Sequence, residues 1–260
     1  MRYFLLLSYN GATFHGWQSQ PNAISVQASV EQALSTICRQ NISITGAGRT
    51  DTGVNARMMY AHFDFDGVFD DKKRILISLN RLVGKDIFIQ DIINVPDNAH
   101  ARFDASERTY KYFVSFKKNP FLHNFCWMCP SHLDIDQMNE AAKILLETKD
   151  FTSFAKLHSD VKTNICHVTK AEWTPVKRDP EALDFMGGLE GGIVFTITAD
   201  RFLRNMVRAV VGTLVDVGRG KISIDDFKNI IEKKDRCAAG TSMPAHALFL
   251  WYVRYPYLKS

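Results

Sequence analysis

The run Gly46-Ala47-Gly48-Arg49-Thr50-Asp51-Thr52-Gly53-Val54-Asn55-Ala56 stands between an apolar segment at Ile42 and Ile44 and an alternating segment at residues 59–65. Glycine tolerates backbone conformations that other residues avoid, so three glycines around one Arg and one Asp predict a sharply shaped loop. Beyond the loop, Met59, Ala61, Phe63 and Phe65 alternate with Tyr60, His62 and Asp64, the period of a half-buried strand. A shaped loop between two strands can hold a carboxylate and a guanidinium at fixed positions, which suits an Asp acting on a polyanion. The same chemistry also serves ordinary turns, where Asp caps backbone amides.

Working outward, residues 2–9 are apolar and read as a strand. Residues 10–24 form a polar loop. Ser25 caps a helix whose Val30, Ala33, Leu34, Ile37 and Cys38 share one face. A strand through Ile42 and Ile44 leads into the glycine loop. Asp70 starts a second helix with Ile75, Leu79 and Leu82, and Ile87 to Val95 supplies another strand. The order β-α-β-β-α-β is the split ferredoxin-like unit.

Residues 96–107 read as a connector, after which the pattern repeats. Tyr110 to Phe116 is a strand, Asp134 caps a helix with Met138, Ala141, Ala142 and Leu145, and strands follow at Val168 to Trp173 and Ile193 to Ile197. Residues 176–191 read as an exposed hairpin tip. A long apolar helix carries Met206, Val207, Val210, Val211, Leu214 and Val215 and stops at Gly218-Arg219-Gly220. A shorter helix holds Phe227, Ile230 and Ile231, and Leu248 to Val253 closes the chain as a strand. The expected fold is α+β: two tandem ferredoxin/RRM-like units, residues 1–104 and 105–260, with a joined, mainly antiparallel sheet flanked by helices. The first unit would carry the Asp loop and the second would complete the cleft.

The chain has 260 residues, 46% hydrophobic and 23% charged, enough to bury a sizeable core without covalent staples. Net charge is +4, too weak alone to prove nucleic-acid binding. Positive charge clusters at Lys72-Lys73-Arg74, Lys117-Lys118, Arg201 with Arg204 and Arg208, and Lys233-Lys234 with Arg236. Each cluster suits either a solvated face or a phosphate-tracking surface. The start has too short an apolar run for a signal peptide, and no stretch reaches transmembrane length, so the expectation is a cytoplasmic protein with reduced thiols. Cys126-Trp127-Met128-Cys129 is a C-x-x-C, but Cys166 and His167 are too distant in sequence to complete compact zinc spacing, and Pro130 follows directly. Structural thiols are expected, with no metal and no cofactor. His15, His62 and His100 are not spaced as metal ligands.

The glycine loop closely resembles the signature G-R-T-D-x-G-V-H-A of the tRNA pseudouridine synthase A family, matching at Gly48 to Asp51, Gly53, Val54 and Ala56. Asn55 stands where that family usually has His, which argues against proton transfer at this position. The resemblance runs nearly end to end. Gly16-Trp17-Gln18 is similar to G-W-Q, His100-Ala101-Arg102-Phe103 to H-A-R-F, and Arg108-Thr109-Tyr110-Lys111-Tyr112 to R-R-Y-R-Y. Asp150 to Phe154 is similar to D-F-T-S-F, and Phe202-Leu203 with Met206-Val207-Arg208 and Val211-Gly212-Thr213-Leu214 to F-L-x-x-M-V-R-x-x-V-G-x-L. Pro244-Ala245-His246 and Tyr255-Pro256 fit the family's closing segment. Asn10 replaces a frequent Asp.

The resemblance implies an isomerase that turns uridine into pseudouridine in the anticodon stem-loop of tRNA, just 3′ of the anticodon, acting as a homodimer. It implies Asp51 as the nucleophile, Arg208 as its ion-pair partner and Tyr110 as the ring that stacks on the extruded uracil. Tyr110 could otherwise be a core tyrosine, and Arg208 could pair with some other carboxylate. Arg49, Arg102 and Arg108 are the candidate RNA contacts, with Arg49 placed to fill the space the flipped base vacates. Two other readings remain. A non-catalytic protein of paired RRM-like units would be expected to show an RNP1 pattern, which the sequence lacks. A hydrolase using Asp51 would want a second carboxylate or His at a defined distance.

Overall fold

Residues 3–7 read Tyr-Phe-Leu-Leu-Leu, and a strand with so few polar side chains needs cover on both faces. The structure, a computed structural model, describes residues 1–156, 162–189 and 191–258. In it, Arg2–Tyr9 forms β1, with Phe4, Leu5 and Leu7 wholly buried. Helix α1, Val26–Cys38, starts where Ser25 accepts a hydrogen bond from the Ala28 N–H at 3.2 Å and buries Val26, Val30, Ala33 and Leu34. Arg39, at φ 54°, takes the left-handed conformation that ends it. Strand β2 is only Thr45–Gly46, β3 is Asn55–Asp64, α2 is Lys72–Leu82 and β4 is Ile87–Val95. The cap of α2 is Asp71, one residue later than expected, because its carboxylate accepts from the Arg74 N–H three positions on.

Two expectations change here for physical reasons. Ile42 and Ile44 are buried, but they do not form the expected strand. Side chains of α1 take the backbone groups that a ladder would use. The Ile42 N–H donates to Ser35 Oγ at 2.9 Å, the Ile44 N–H to Glu31 Oε1 at 2.9 Å, and the Ile44 carbonyl accepts from Gln27 Nε2 at 3.1 Å. Strand β3 is buried on both faces, not one. Tyr60 and His62 lie under an aromatic layer in which Phe4 meets Tyr255 edge-on at 5.2 Å and Tyr60 meets Tyr255 at 5.1 Å. In the antiparallel register Leu5 sits between Ala61 and Ile92. The strand order is β4-β1-β3 with β2 against β3, the order of a split βαβ unit. This unit comprises Met1–Ser106 together with Leu250–Ser260.

The second unit is Glu107–Phe249. It contains β5 (Glu107–Ser115), β6 (Trp127–Met128), α3 (Ile135–Glu147), β7 (Val168–Pro175), α4 (Pro180–Phe185), β8 (Ile193–Ala199), α5 (Met206–Gly218) and α6 (Ile224–Lys233). Strand β9, Leu248–Arg254, begins at its end and contributes its remaining residues to the first unit. Strands run β5-β8-β7, antiparallel, with Ile197 opposite both Tyr110 and Ala171. Helix α5 is buried on almost every side, as its apolar run requires. Residues 176–189 are not a bare hairpin tip. They fold into a 3-10 turn and α4, burying Val176, Ala182, Met186 and Leu189; Glu190 of that stretch lies outside the described residues. The cap of α4, Asp179, pairs with Lys111 of β5, whose side chain is only 5% exposed.

Candidate active site

Asp51 owes its position to residues far from it in sequence. Residues 47–54 leave regular structure, and both flanks of Asp51 are anchored. Thr50 is buried: its Oγ1 lies 2.9 Å from the Tyr9 hydroxyl, and its carbonyl accepts from the Trp17 N–H at 3.2 Å. The Val54 N–H closes a turn onto the Asp51 carbonyl at 3.1 Å, and Gly53 takes the φ of 79° which that turn needs. Gly16 explains its motif. A Cβ there would stand 2.5 Å from the Thr50 carbonyl oxygen, and its φ of 88° favours glycine independently. The early Gly-Trp pair is thus a brace laid against the Asp loop. Asp51 itself is half-buried, between the exposed side chains of Arg49 and Thr52. The loop therefore exposes the Arg49 guanidinium and half-buries Asp51 while its backbone is held.

Asn55 is the one departure from the resembling loop, and its role is structural. It is 1% exposed, and its Oδ1 accepts the Gly11 N–H at 2.8 Å. That bond ties the start of β3 to the loop after β1.

Arg208 lies half-buried on α5. Its Nε donates to the Met243 carbonyl at 2.5 Å, and its own carbonyl accepts from the Met243 N–H at 3.1 Å. The adjoining Pro244 carbonyl accepts from the Tyr112 hydroxyl at 3.1 Å. Ser242 accepts from Asn205 Nδ2 at 2.6 Å and from Arg236 Nη2 at 2.8 Å. The segment at residues 242–244 is therefore stitched to α5 and β5, and it holds the Arg208 side chain at Nε. Burial pushes the Tyr112 hydroxyl far above its usual pKa, although Arg208 pulls it the other way. Burial likewise lowers His246, whose Nε2 lies 3.2 Å from the Cys126 carbonyl. Sequence reasoning missed Met243 and Tyr112 as supports of Arg208; the adjacent Pro244-Ala245-His246 match was the available signal.

Tyr110 is half-buried, and its ring meets Phe202 edge-on at 5.0 Å. Arg108, two residues earlier, donates through Nη1 to the Asp200 carbonyl at 2.7 Å. Arg102 is exposed, with its guanidinium over the Phe103 ring at 5.6 Å. Asp51, Arg49 and Arg102 thus belong to the first unit, and Tyr110, Arg108 and Arg208 to the second. Of the basic clusters, Lys72 is paired with Asp91, and Lys234 with Asp150 at 3.0 Å. Lys73, Arg74, Lys117 and Lys118 are exposed. Cys126, Cys129 and Cys166 are buried, and burial raises the Cys166 thiol to about 12. Among the described residues no three His, Cys, Asp or Glu side chains gather as a metal site.

A mixed α+β fold with a mainly antiparallel sheet, one unit of which carries an aspartate on a braced loop, fits a pseudouridine synthase. The tRNA pseudouridine synthase family profile matches residues 141–256. The tRNA pseudouridine synthase A of Parabacteroides distasonis is 55% identical over 98% of this chain and 96% of its own length. That of Bacteroides thetaiotaomicron is 52% identical over 98% and 91%, and that of Bacillus subtilis 38% identical over 98% and 99%. The chain belongs to the tRNA pseudouridine synthase A family.

Proposed function

We propose that this protein isomerises uridine to pseudouridine in the anticodon stem-loop of tRNA, just 3′ of the anticodon, with Asp51 as the nucleophile. The reaction conserves atoms. The bond from the ribose to uracil N1 breaks, the base turns over, a carbon–carbon bond to C5 forms, the C5 proton leaves and N1 takes up a proton. A carboxylate suits this because it can add covalently and depart again. The carrying observation is the loop itself: Tyr9, Trp17 and Gly16 fix the backbone on one side of Asp51, and the Val54 N–H closes a turn onto its carbonyl on the other.

The other residues take roles consistent with where they stand. Arg49, exposed two residues from Asp51, fills the stack when the target base leaves it and contacts phosphate. Arg208, held at Nε by Met243, takes the role of ion-pair partner to the Asp51 carboxylate, a role that its planar fork suits. Tyr110, supported by Phe202, stacks on the extruded uracil. Arg102 and Arg108 add RNA contacts. The enzyme acts as a homodimer in the cytoplasm. No described helix is long and apolar enough to cross a membrane.

The test is Asp51→Asn, assayed by tritium release from C5 of uridine-labelled tRNA. The variant should fold and bind tRNA as wild type does, yet lose turnover altogether. Turnover within about tenfold of wild type, a barrier change of only about 1.4 kcal/mol, would remove Asp51 from the chemistry.

A further inference from the structure

The sequence His100-Ala101-Arg102-Phe103 builds a surface feature that the reaction at Asp51 does not use. Phe103 is 74% exposed. Full exposure of a Phe side chain forgoes about 1.5–3 kcal/mol of burial, so a chain that also rigidifies it invites a reason. The turn is held by two neutral imidazoles. His62 Nδ1 accepts the Ala101 N–H at 3.1 Å, and His100 Nδ1 accepts both the Arg102 N–H at 3.1 Å and the Phe103 N–H at 3.2 Å. Asp104 closes it from the other side. Its carboxylate accepts the His100 N–H at 2.7 Å and the Tyr257 hydroxyl at 2.9 Å, and its own N–H donates to the His100 carbonyl at 3.0 Å. The rings lie in series: His62 meets His100 edge-on at 4.5 Å, and His100 meets Phe103 at 4.3 Å with the planes tilted by 33°. The Arg102 guanidinium stands over the Phe103 ring at 5.6 Å.

We infer that Phe103, backed by His100 and flanked by Arg102, is a platform on which an unpaired base of the bound tRNA stacks, apart from the uridine that reacts. The inference rests on the tRNA reading above. A planar ring presented on a rigid turn, with a cation at its side, matches a nucleobase and its phosphate, because every base has a π-face and every nucleotide a negative charge. A protein partner would be met instead by a contiguous apolar patch. The exposed neighbours in this stretch are Pro96, Asp97, Asn98, Arg102 and Ser106, and the part-exposed Tyr257 beside it turns its hydroxyl to Asp104, so the surroundings of Phe103 are mostly polar.

Four full-length variants, Phe103→Ala, Phe103→Leu, Phe103→Trp and Arg102→Ala, separate the possibilities, with intact tRNA transcript as ligand and tritium release as the assay. Phe103→Ala and Phe103→Leu should each raise Kd and KM for tRNA by about 5- to 100-fold, more than they lower kcat, because leucine keeps the apolar bulk but not the flat face. Phe103→Trp should bind as wild type or tighter. Melting temperature should not fall in the Phe103 variants, since the ring is not core. Arg102→Ala should flatten the dependence of log affinity on log salt by about 0.7, one phosphate contact, whereas the Phe103 variants leave that slope alone. If Phe103→Leu binds tRNA like wild type while wild type releases tritium, the platform is refuted and the enzyme reading stands. If wild type releases none, the enzyme reading itself fails. If Phe103→Ala instead halves the sedimenting mass, the ring belongs to an interface with a second copy, and the platform is again refuted.

Discussion

Asn55 offers the sharpest test of how the Asp51 loop is held, because the resembling loop carries His at this place. Asn55→Ala removes the acceptor of the Gly11 N–H, now at 2.8 Å in a site only 1% exposed. A buried donor left without its partner costs about 1–3 kcal/mol. The Gly11 backbone packs directly on the Val54 carbonyl, so the two segments have little room to part and admit water. The expected loss of stability is therefore about 2 kcal/mol. Asn55 follows directly on the turn that Val54 closes to Asp51, so freeing it loosens the nucleophile's anchor. A shift of about 1 Å in a reacting group costs about a hundredfold in rate, or about 2.7 kcal/mol. Asn55→Ala should lower kcat by about ten- to a hundredfold on that basis. Asn55→His should behave differently. A neutral ring nitrogen can take the Gly11 N–H, so the rate should stay within about threefold of wild type, under about 0.7 kcal/mol, with an unchanged pH profile. Urea unfolding gives the stabilities and tritium release gives the rates. An Asn55→Ala enzyme within about 0.5 kcal/mol and threefold of wild type would refute the bracing argument. A new step in the Asn55→His pH profile near the imidazole range would give position 55 a proton-transfer role that the present reading denies it.

Other consequences can be measured alongside. Arg208→Lys keeps the charge but loses the planar fork and the Nε bond to Met243, so kcat should fall at least tenfold, about 1.4 kcal/mol, with tRNA affinity little changed; wild-type kcat would dissolve the proposed pairing with Asp51. Asp179→Ala strips Lys111 of its closest carboxylate and α4 of its cap, and should destabilise the protein by about 3–5 kcal/mol in urea. Asp179→Asn, which can still cap, should lose about 1 kcal/mol less, and equal losses would show that the cap contributes nothing. Burial raises the Asp179 carboxyl, but its bonds to Lys111 and the Ala182 N–H outweigh this and leave it below the usual range. Its contribution is therefore complete above the unfolded value of about 3.9 and is lost as pH falls through the lower folded one. His62 has the opposite chemistry, though its stability term is lost in the same direction of pH. Burial first, and His100 second, lower it to about 4. The unfolded chain then binds the extra proton between about pH 6.5 and 4, so acidification across that window should cost up to about 1.4 kcal/mol per pH unit. In His62→Gln the slope should be shallower, and identical slopes would dismiss His62 as its source.

What the sequence could show was mostly local. Ser25 and Asp134 were legible as caps because a cap needs only a side chain and an N–H three residues on. The faces of α1 and α3 and the buried face of α5 follow from the spacing of their apolar residues. Long-range choices were not legible. Nothing in Ile42 and Ile44 announces that Ser35, Glu31 and Gln27 will take their backbone groups and stop a strand from forming. Tyr60 and His62 carry polar atoms at alternate positions, which reads as a wet face. The cover comes from Tyr255, nearly two hundred residues later in the chain. Residues 176–189 looked polar because Lys177, Arg178 and Asp179 dominate the count, yet Val176, Ala182, Met186 and Leu189 are enough to pin the segment down.

The site follows the same division. Asp51 was visible from its own loop, but the loop alone does not fix it. A Cβ on Gly48 would touch nothing within 4 Å, so that glycine is not demanded by space, whereas Gly16, thirty-five positions upstream of Asp51, is demanded by contact with the Thr50 carbonyl. Short motifs that sequence comparison could only match as strings acquire separate physical duties. The Gly-Trp pair braces the nucleophile's backbone, the second tyrosine of the Arg108 to Tyr112 motif pins the segment that holds Arg208, and the histidine of the motif at residues 100–103 captures the N–H groups of the two residues it presents. Each duty is the satisfaction of a polar backbone group near a side chain that must stay exposed or half-exposed. Such groups cannot be left to water, whose mobility would let the side chain wander. The spread of these motifs along the chain therefore reflects geometry. A reactive side chain that must face its substrate can be steadied only from behind, by residues that the fold brings there.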